Sequence, residues 1–152
     1  MNDDRFTILL AEDDENDAWM VKRALNWGDI HNPVQVVPDG EEAIAYLRGD
    51  GKYKDRQMYP MPKLLLLDIK MPRKYGWEVL EWIRGTEANG LNRLPVIIMS
   101  SSNVQEDIDR AYELGVNAYL VKPNGFGELV KTLQTTTDFW KETVAHPQIL
   151  AA

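Results

Sequence analysis

The chain has 152 residues, 17 of them basic and 24 acidic, and its formal net charge of -7 argues against nonspecific binding to nucleic acid or an anionic membrane. Its length suits one domain with a sizeable core, and the absence of cysteine excludes disulfides, thiol catalysis and zinc-thiolate sites. An acidic start and the lack of a bilayer-length apolar run predict a soluble cytoplasmic protein without a secretory signal.

The first part of the chain alternates short apolar runs with amphipathic stretches. Apolar residues at helical spacing, closed by Gly28, predict a helix after a first buried strand. Asp39 is the expected N-cap of a second helix, which follows a short β-branched strand. These elements are strands at 6–11 and 34–37 and helices at 15–27 and 39–48. The aperiodic stretch 49–62 predicts a surface connection within one domain.

A run of four leucines, flanked by Pro62 and Pro72, occupies the centre of the chain. The run is too short for an ordinary helix and predicts a strand at 64–67 that is buried on both faces. Asp68 follows directly, at the C-terminal end of this strand. Taken alone, Asp68 is equally compatible with a functional carboxylate and with a residue that caps the next turn.

The second half of the chain continues the alternation. A loop at 71–76 precedes a helix that places Trp82 on or near its outer face, and the final residues from Thr143 are expected to fray. The remaining elements are strands at 95–99 and 116–121 and helices at 77–84, 103–114 and 126–142. Five strands that alternate with five helices predict a doubly wound α/β fold, with a parallel sheet covered on both faces and a core at about 5–142.

Polar side chains follow four of the five predicted strands: Glu12, Asp13, Asp68, Ser100 and Lys122. Because the carboxyl ends of parallel strands share one edge, these residues can converge in one crevice. Carboxylates held together repel one another unless a cation compensates, and Mg²⁺ is the ion that prefers oxygen ligands. Mg²⁺ beside acids, a hydroxyl and a lysine suits phosphoryl transfer, with an aspartate that attacks phosphorus.

Several other ionisable residues are interpreted without a chemical role. Asp14, Glu15 and Asp17 lie in the first turn of a predicted helix, where acids are favourable against the helix dipole. His31 and His146 have no partner at ligand spacing.

Four ordered motifs resemble those of receiver domains of two-component response regulators: Ile8 to Asp14, Leu65 to Pro72, Pro95 to Ser100 and Tyr119 to Pro123. The resemblance covers about the whole chain. It implies a single flavodoxin-like (CheY-like) domain over 1–152, with strand order 2-1-3-4-5 and a short tail at 143–152. It also implies a phosphoacceptor with intrinsic autodephosphorylation rather than a turnover enzyme.

The same resemblance implies roles for individual residues. Asp68 is the expected acceptor of a phosphoryl group from a histidine kinase. Asp13 is the expected direct Mg²⁺ ligand, Glu12 acts mainly through a bound water, and the backbone carbonyl of Lys70 completes the set together with Asp68. The side chain of Lys70 lies beside the path of the hydrolytic water, so Lys70 and Ser102 are expected to set the lifetime of the acyl phosphate.

Three further residues carry the expected response to phosphate. By the resemblance, Ser100 hydrogen-bonds the phosphoryl oxygen and Lys122 pairs with it. Tyr119 resembles the switch aromatic that changes rotamer when Ser100 moves. The bond between Lys122 and Pro123 resembles a cis peptide, which is inexpensive before proline. Tyr75 departs from the family pattern, in which a small polar residue precedes the loop glycine.

The resemblance extends to a smaller group within the response regulators. The segment before the third strand, the Lys122-Pro123-Asn124 sequence and the pair Phe139 and Trp140 are similar to standalone regulators that accompany phytochrome-type histidine kinases. Few residues follow the last helix, so the expected output is a contact with a downstream phosphotransfer or target protein. A homodimer through the fourth helix, fifth strand and fifth helix is the expected assembly. Core packing is an equal alternative for Phe139 and Trp140.

Two other functions stay open. Phosphatases and phosphomutases of the haloacid dehalogenase type form an aspartyl phosphate with magnesium, but they need a second acid where this chain has Lys70. A receiver-like scaffold that binds partners without accepting phosphate is the other alternative, and the presence of Asp13, Asp68, Ser100 and Lys122 argues against it.

Overall fold

A five-stranded parallel sheet forms the centre of the structure, a computed structural model that describes residues 6–71 and 75–150. The strand order is β2-β1-β3-β4-β5, which confirms the predicted fold. The strands are β1 (Ile8–Ala11), β2 (Val34–Val37), β3 (Leu64–Leu67), β4 (Val96–Ser100) and β5 (Ala118–Val121). Residues 72–74 of the predicted loop, and residue 5 at the start of the predicted core, lie outside the described residues.

Five α-helices connect the strands: α1 (Glu15–Trp27), α2 (Gly40–Arg48), α3 (Gly76–Gly85), α4 (Gln105–Glu113) and α5 (Phe126–Asp138). Two of their starts are fixed by aspartate side chains that accept hydrogen bonds from first-turn N–H groups, Asp14 for α1 and Asp39 for α2. The cap at Asp39 was predicted, whereas Asp14 was expected in the first turn of α1 and is instead its N-cap. Within the described residues, no helix is long and apolar enough to cross a membrane.

The four leucines of β3 divide the core between the two faces of the sheet. Leu65 and Leu67 belong to the cluster that packs against α2 and α3, whereas Leu64 and Leu66 belong to the cluster under α1 and α5. This division follows from the alternation of side chains along a strand. All four leucines are buried, which confirms a strand covered on both faces.

The aperiodic connection before β3, predicted as a surface connection, packs part of its length against the domain. It contains a 3-10 helix, and Tyr53 within that helix is buried. The Tyr53 ring lies 5.0 Å from the ring of Tyr46 and 5.1 Å from that of Tyr59. The Arg56 guanidinium donates hydrogen bonds to the carbonyls of Tyr46 and Leu47 near the end of α2. The prediction missed this packing because the segment has no apolar periodicity.

The structure differs from the prediction at Trp82 of α3 and in the C-terminal tail. Trp82 is half-buried and packs against the core, so it lies nearer to the core than a residue fully on the outer face would. The tail, which was predicted to fray, packs against the domain: the His146 ring lies 5.0 Å from the Phe6 ring, and Ile149 contacts the core. The prediction of fraying is therefore wrong for the described part of the tail.

A π-helical turn at Phe139–Thr143 joins α5 to the tail. Trp140 packs against the core cluster under α1 and α5, whereas Phe139 is exposed. Core packing therefore accounts for Trp140 and not for Phe139.

Candidate functional site

The C-terminal ends of the central strands hold the candidate site. The Asp68 N–H donates to the Ala11 carbonyl at 3.1 Å, and the Lys122 N–H donates to the Ser100 carbonyl at 2.7 Å. The N–H of Glu12 is bonded in the same way to the end of β2. The hydrogen bonding of the sheet thus continues one residue past the strands and fixes the backbones of Glu12, Asp68 and Lys122 along one edge.

Glu12, Asp13 and Asp68 each offer a carboxylate oxygen, and these oxygens lie within 4.8 Å of one another. Glu12 is buried, Asp68 is partly buried and Asp13 is exposed. The pKa of Glu12 is raised to about 7, chiefly by burial and also by the charge of Asp68, although the hydrogen bond from Lys122 lowers it. Three carboxylate oxygen donors whose charge is only partly compensated fit a hard divalent cation.

Lys122 lies among three carboxylates. Its Nζ is 3.0 Å from Glu12 Oε2, 3.5 Å from Asp17 Oδ2 and 3.8 Å from Asp68 Oδ2. Burial alone would lower the pKa of Lys122, but the charge of Asp68, the hydrogen bond to Glu12 and the charge of Asp17 outweigh burial and raise it. The ammonium group therefore stays charged in the site.

Asp17 is a site neighbour that the sequence analysis assigned only to the helix dipole. Its contact with Lys122 depends on how α1 lies against the end of β5, which local sequence does not specify. The available signal was its position in the first turn of a helix that starts at the sheet edge.

Ser100, Ser102 and Tyr119 form a second group at the end of β4. Ser100 is buried and its Oγ accepts a hydrogen bond from the Ser102 N–H at 3.1 Å. The Tyr119 hydroxyl donates to the Ser102 carbonyl at 2.9 Å. The Ser102 hydroxyl in turn donates to Asp107 of α4 at 2.6 Å. The predicted switch residues are thus joined through the loop that leads into α4.

The loop after β3 approaches Asp68 closely. The Lys70 N–H donates to Asp68 Oδ1 at 3.3 Å, while the residue itself is exposed. A Cβ atom at Gly76 would lie 2.5 Å from the Asp68 carbonyl oxygen, so only glycine fits there without movement of the backbone. This requirement is not visible in the local sequence, since it depends on how α3 packs against the end of β3.

The peptide bond between Lys122 and Pro123 is trans, so the expected cis bond is wrong. The two isomers before proline differ by only about 0.5 to 1 kcal/mol, and a sequence motif alone does not decide between them.

Comparison with known proteins gives consistent matches. The model of the response regulator receiver domain family matches residues 8–134. Response regulator Rcp1 of Synechocystis sp. is 37% identical over 140 residues, which cover 92% of each chain. A structure of its Mn²⁺-bound form has a TM-score of 0.81, with 93% of this chain and 99% of that chain covered.

Two other solved structures are also similar over nearly the whole chain. The phosphorylated cyanobacterial phytochrome response regulator RcpA has a TM-score of 0.85 at 35% identity, with 95% of this chain and 99% of that chain covered. The response regulator RPA3017, in red light signalling of R. palustris, has a TM-score of 0.88 at 34% identity, with coverages of 93% and 98%.

Proposed function

The chain belongs to the response regulator receiver family, and on that premise we propose that Asp68 accepts a phosphoryl group from a histidine kinase. Receivers of this family are the phosphoacceptors of two-component phosphorelays. An oxygen of Asp68 forms the new bond to phosphorus while the bond from phosphorus to the kinase histidine nitrogen breaks, and the imidazole keeps the electron pair. The observation that carries the proposal is the placement of Asp68 beside Lys122 and two further carboxylates.

Mg²⁺ is the proposed cofactor, since the donors are all oxygen atoms. Asp13 and Asp68 are its proposed direct protein ligands, Glu12 its partner through water, and Lys70 the source of a backbone carbonyl. When bound, the cation neutralises charge on the acids and on the phosphoryl oxygens. Glu12 also keeps Lys122 at the site through the contact of 3.0 Å.

Lys122 and Ser100 are the proposed partners of the new phosphoryl oxygens. Lys122 is already within 3.8 Å of Asp68. Ser100 would exchange its present bond with the Ser102 N–H for a bond to phosphate. Because Tyr119 is bonded to the carbonyl of Ser102, a shift of this loop alters the environment of the Tyr119 hydroxyl. Phosphorylation would thus bias a pre-existing equilibrium of the loop and Tyr119.

Lys70 and Ser102 are the proposed determinants of phosphate lifetime, and autodephosphorylation is proposed to end the signal. Dephosphorylation of Lys70→Ala and Ser102→Ala should differ in rate from that of the wild type. The exposed neighbour Ser101 offers a matched control as Ser101→Ala. Unchanged rates in both site variants would remove this assignment.

A phytochrome-type kinase is the proposed phosphodonor, given the likeness to Rcp1 and RcpA. Because the protein has a net charge of -7, the proposed output is contact with another protein rather than with nucleic acid or a membrane.

The proposed homodimer uses α4, β5 and α5, where Val104, Tyr112 and Val121 are exposed. Sedimentation of Val121→Glu should show a loss of dimer, whereas Val36→Glu on the opposite edge strand should not.

The acceptor is tested with a small phosphodonor. Wild-type protein, Asp68→Asn and the control Asp14→Asn are incubated with phosphoramidate and Mg²⁺ and examined by intact mass spectrometry. We expect one added phosphoryl group on the wild type and on Asp14→Asn, and none on Asp68→Asn. Sustained release of phosphate without an adduct would favour a phosphatase, and neither adduct nor release would favour a binding module.

A further inference from the structure

We propose that Asp17 is a positioning residue that holds Lys122 away from Asp68 in the unphosphorylated protein and thereby opposes phosphorylation. The inference rests on the proposed function, because it concerns the same acceptor aspartate. It gives α1 a part in setting how readily the site is phosphorylated.

The distances around Lys122 carry the argument. Its Nζ lies nearer to Glu12, at 3.0 Å, and to Asp17, at 3.5 Å, than to Asp68, at 3.8 Å. All three acids attract the same ammonium group, which among these three donates a hydrogen bond only to Glu12, so the position of Nζ reflects the balance of these attractions. Glu12 and Asp17, which do not accept phosphate, therefore draw Nζ away from the acceptor.

The turn that carries Asp17 is held in place by the site itself. The Asp17 N–H donates to Asp14 Oδ1 at 3.1 Å, and the Asp14 N–H donates to Glu12 Oε1 at 3.2 Å. Among the described residues, the acids whose oxygens can share a cation are Glu12, Asp13 and Asp68, and Asp17 is not one of them. Asp17 therefore remains available to Lys122 whether or not a cation is bound.

Open space adjoins Lys122 on the side of Asp17. A cavity of about 160 Å³ lies between α1 and the start of α5, and its lining includes Asp17, Met20, Lys122 and Phe126. When oxygens of a phosphoryl group appear on Asp68, Nζ is drawn toward them and its contact with Asp17 lengthens. The loss of that contact is a cost to the phosphorylated state.

The expected effect is modest because the Asp17 side chain is 53% exposed. Exposed ion pairs of this kind change an equilibrium by about two- to fivefold. Removal of the Asp17 charge should therefore strengthen binding of a phosphoryl mimic at Asp68 by that factor, and the gain should shrink at high salt as the pair is screened.

The test compares the affinity of four proteins for beryllofluoride, a phosphoryl mimic, by ¹⁹F NMR in the presence of Mg²⁺. The proteins are the wild type, Asp17→Asn, the conservative Asp17→Glu and Glu15→Gln. Glu15 is an exposed acid in the same first turn, so Glu15→Gln removes the same charge from the same helix end. We expect a two- to fivefold gain for Asp17→Asn and an affinity close to that of the wild type for the other two variants.

A second measurement uses the metal-free protein and needs no phosphoryl mimic. The side-chain ¹⁵N resonance of Lys122 should shift in Asp17→Asn and stay in place in Glu15→Gln. Equal beryllofluoride affinity in Asp17→Asn and the wild type, or an equal gain in Glu15→Gln, would overturn the role of Asp17 alone. A wild type that binds no beryllofluoride would overturn the proposed function and this inference with it.

Discussion

Glu12 is the most deeply buried of the three site carboxylates, and its protonation links the site to pH. Its pKa is raised by burial from 4.5 to about 7. A raised pKa means that the folded state holds the proton more tightly than the unfolded state does. The contribution of this proton to stability is therefore complete below pH 4.5 and is lost as the pH rises through 7.

The same proton competes with a cation for Glu12. If one proton with a pKa near 7 leaves on binding, the affinity for Mn²⁺ or Mg²⁺ should rise about tenfold between pH 6 and pH 8. Calorimetric titration in two buffers with different ionisation heats measures both the affinity and the proton release. The rise should be absent in Glu12→Gln. A tenfold rise in that variant as well would assign the titrating proton to another group.

Only glycine fits at position 76, because the backbone there lies very close to the backbone of Asp68 and Ile69. A Cβ at this position would meet Asp68 O at 2.5 Å and Ile69 Cα at 2.9 Å, both backbone atoms, whereas a Cβ at Gly85 would meet nothing within 4 Å. We expect Gly76→Ala to lower the free energy of unfolding by about 1 to 3 kcal/mol, as overpacking does. Gly85→Ala, at the other end of α3, should be neutral or slightly stabilising. Urea unfolding of both variants provides the comparison, and equal stabilities would contradict it.

Among the elements, the C-terminal tail offers a direct measure of how much its packing contributes. Ile149 contacts the core cluster, whereas the adjacent Leu150 is 52% exposed. Because Ile149 is only partly buried, Ile149→Ala should lower the free energy of unfolding by about 1 to 2 kcal/mol, which is below the usual range for a fully buried isoleucine. Leu150→Ala should change stability by less than about 0.5 kcal/mol. If the tail frays in solution, urea unfolding should show the same small loss of free energy of unfolding for both variants.

Comparison of elements also shows why some parts of the fold were predictable from the sequence. The helices after Asp14 and Asp39 have local causes, a capping side chain and an apolar stripe, so their bounds could be inferred. The position of Ile149 has no local cause. It is one apolar residue in an aperiodic tail, and its contact with the core exists only once the domain has folded.

In the candidate site too, some contacts were predictable from the sequence and others were not. Convergence of Glu12, Asp68 and Lys122 was predictable, because the ends of parallel strands meet at one edge of a sheet. The contact between Asp17 and Lys122 was not, because an acid in a first turn is favourable in any helix.

At the scale of the whole molecule, the charged groups of the site act on the stability of the entire domain. Glu12, Asp13 and Asp68 bring three acids together in a chain whose net charge is already -7, and Lys122 compensates only part of that charge. A cation that binds the folded state and not the unfolded state relieves the remaining repulsion and shifts the folding equilibrium. Thermal stability should therefore report on occupancy of the site.

The size of this effect can be predicted. A cation at about one hundred times its dissociation constant stabilises the folded state by about 2.7 kcal/mol. For a domain of this size, that corresponds to a rise in Tm of about 5 to 11 °C. Asp13→Asn should lose most of the rise, because it replaces a carboxylate proposed as a direct ligand with a neutral amide. Asp14→Asn is the matched control, since it removes the same charge from the adjacent residue and asparagine caps a helix as well as aspartate. Thermal unfolding with Mg²⁺ and with a chelator measures the shift, and an equal loss in both variants would indicate general charge relief rather than binding at these three acids.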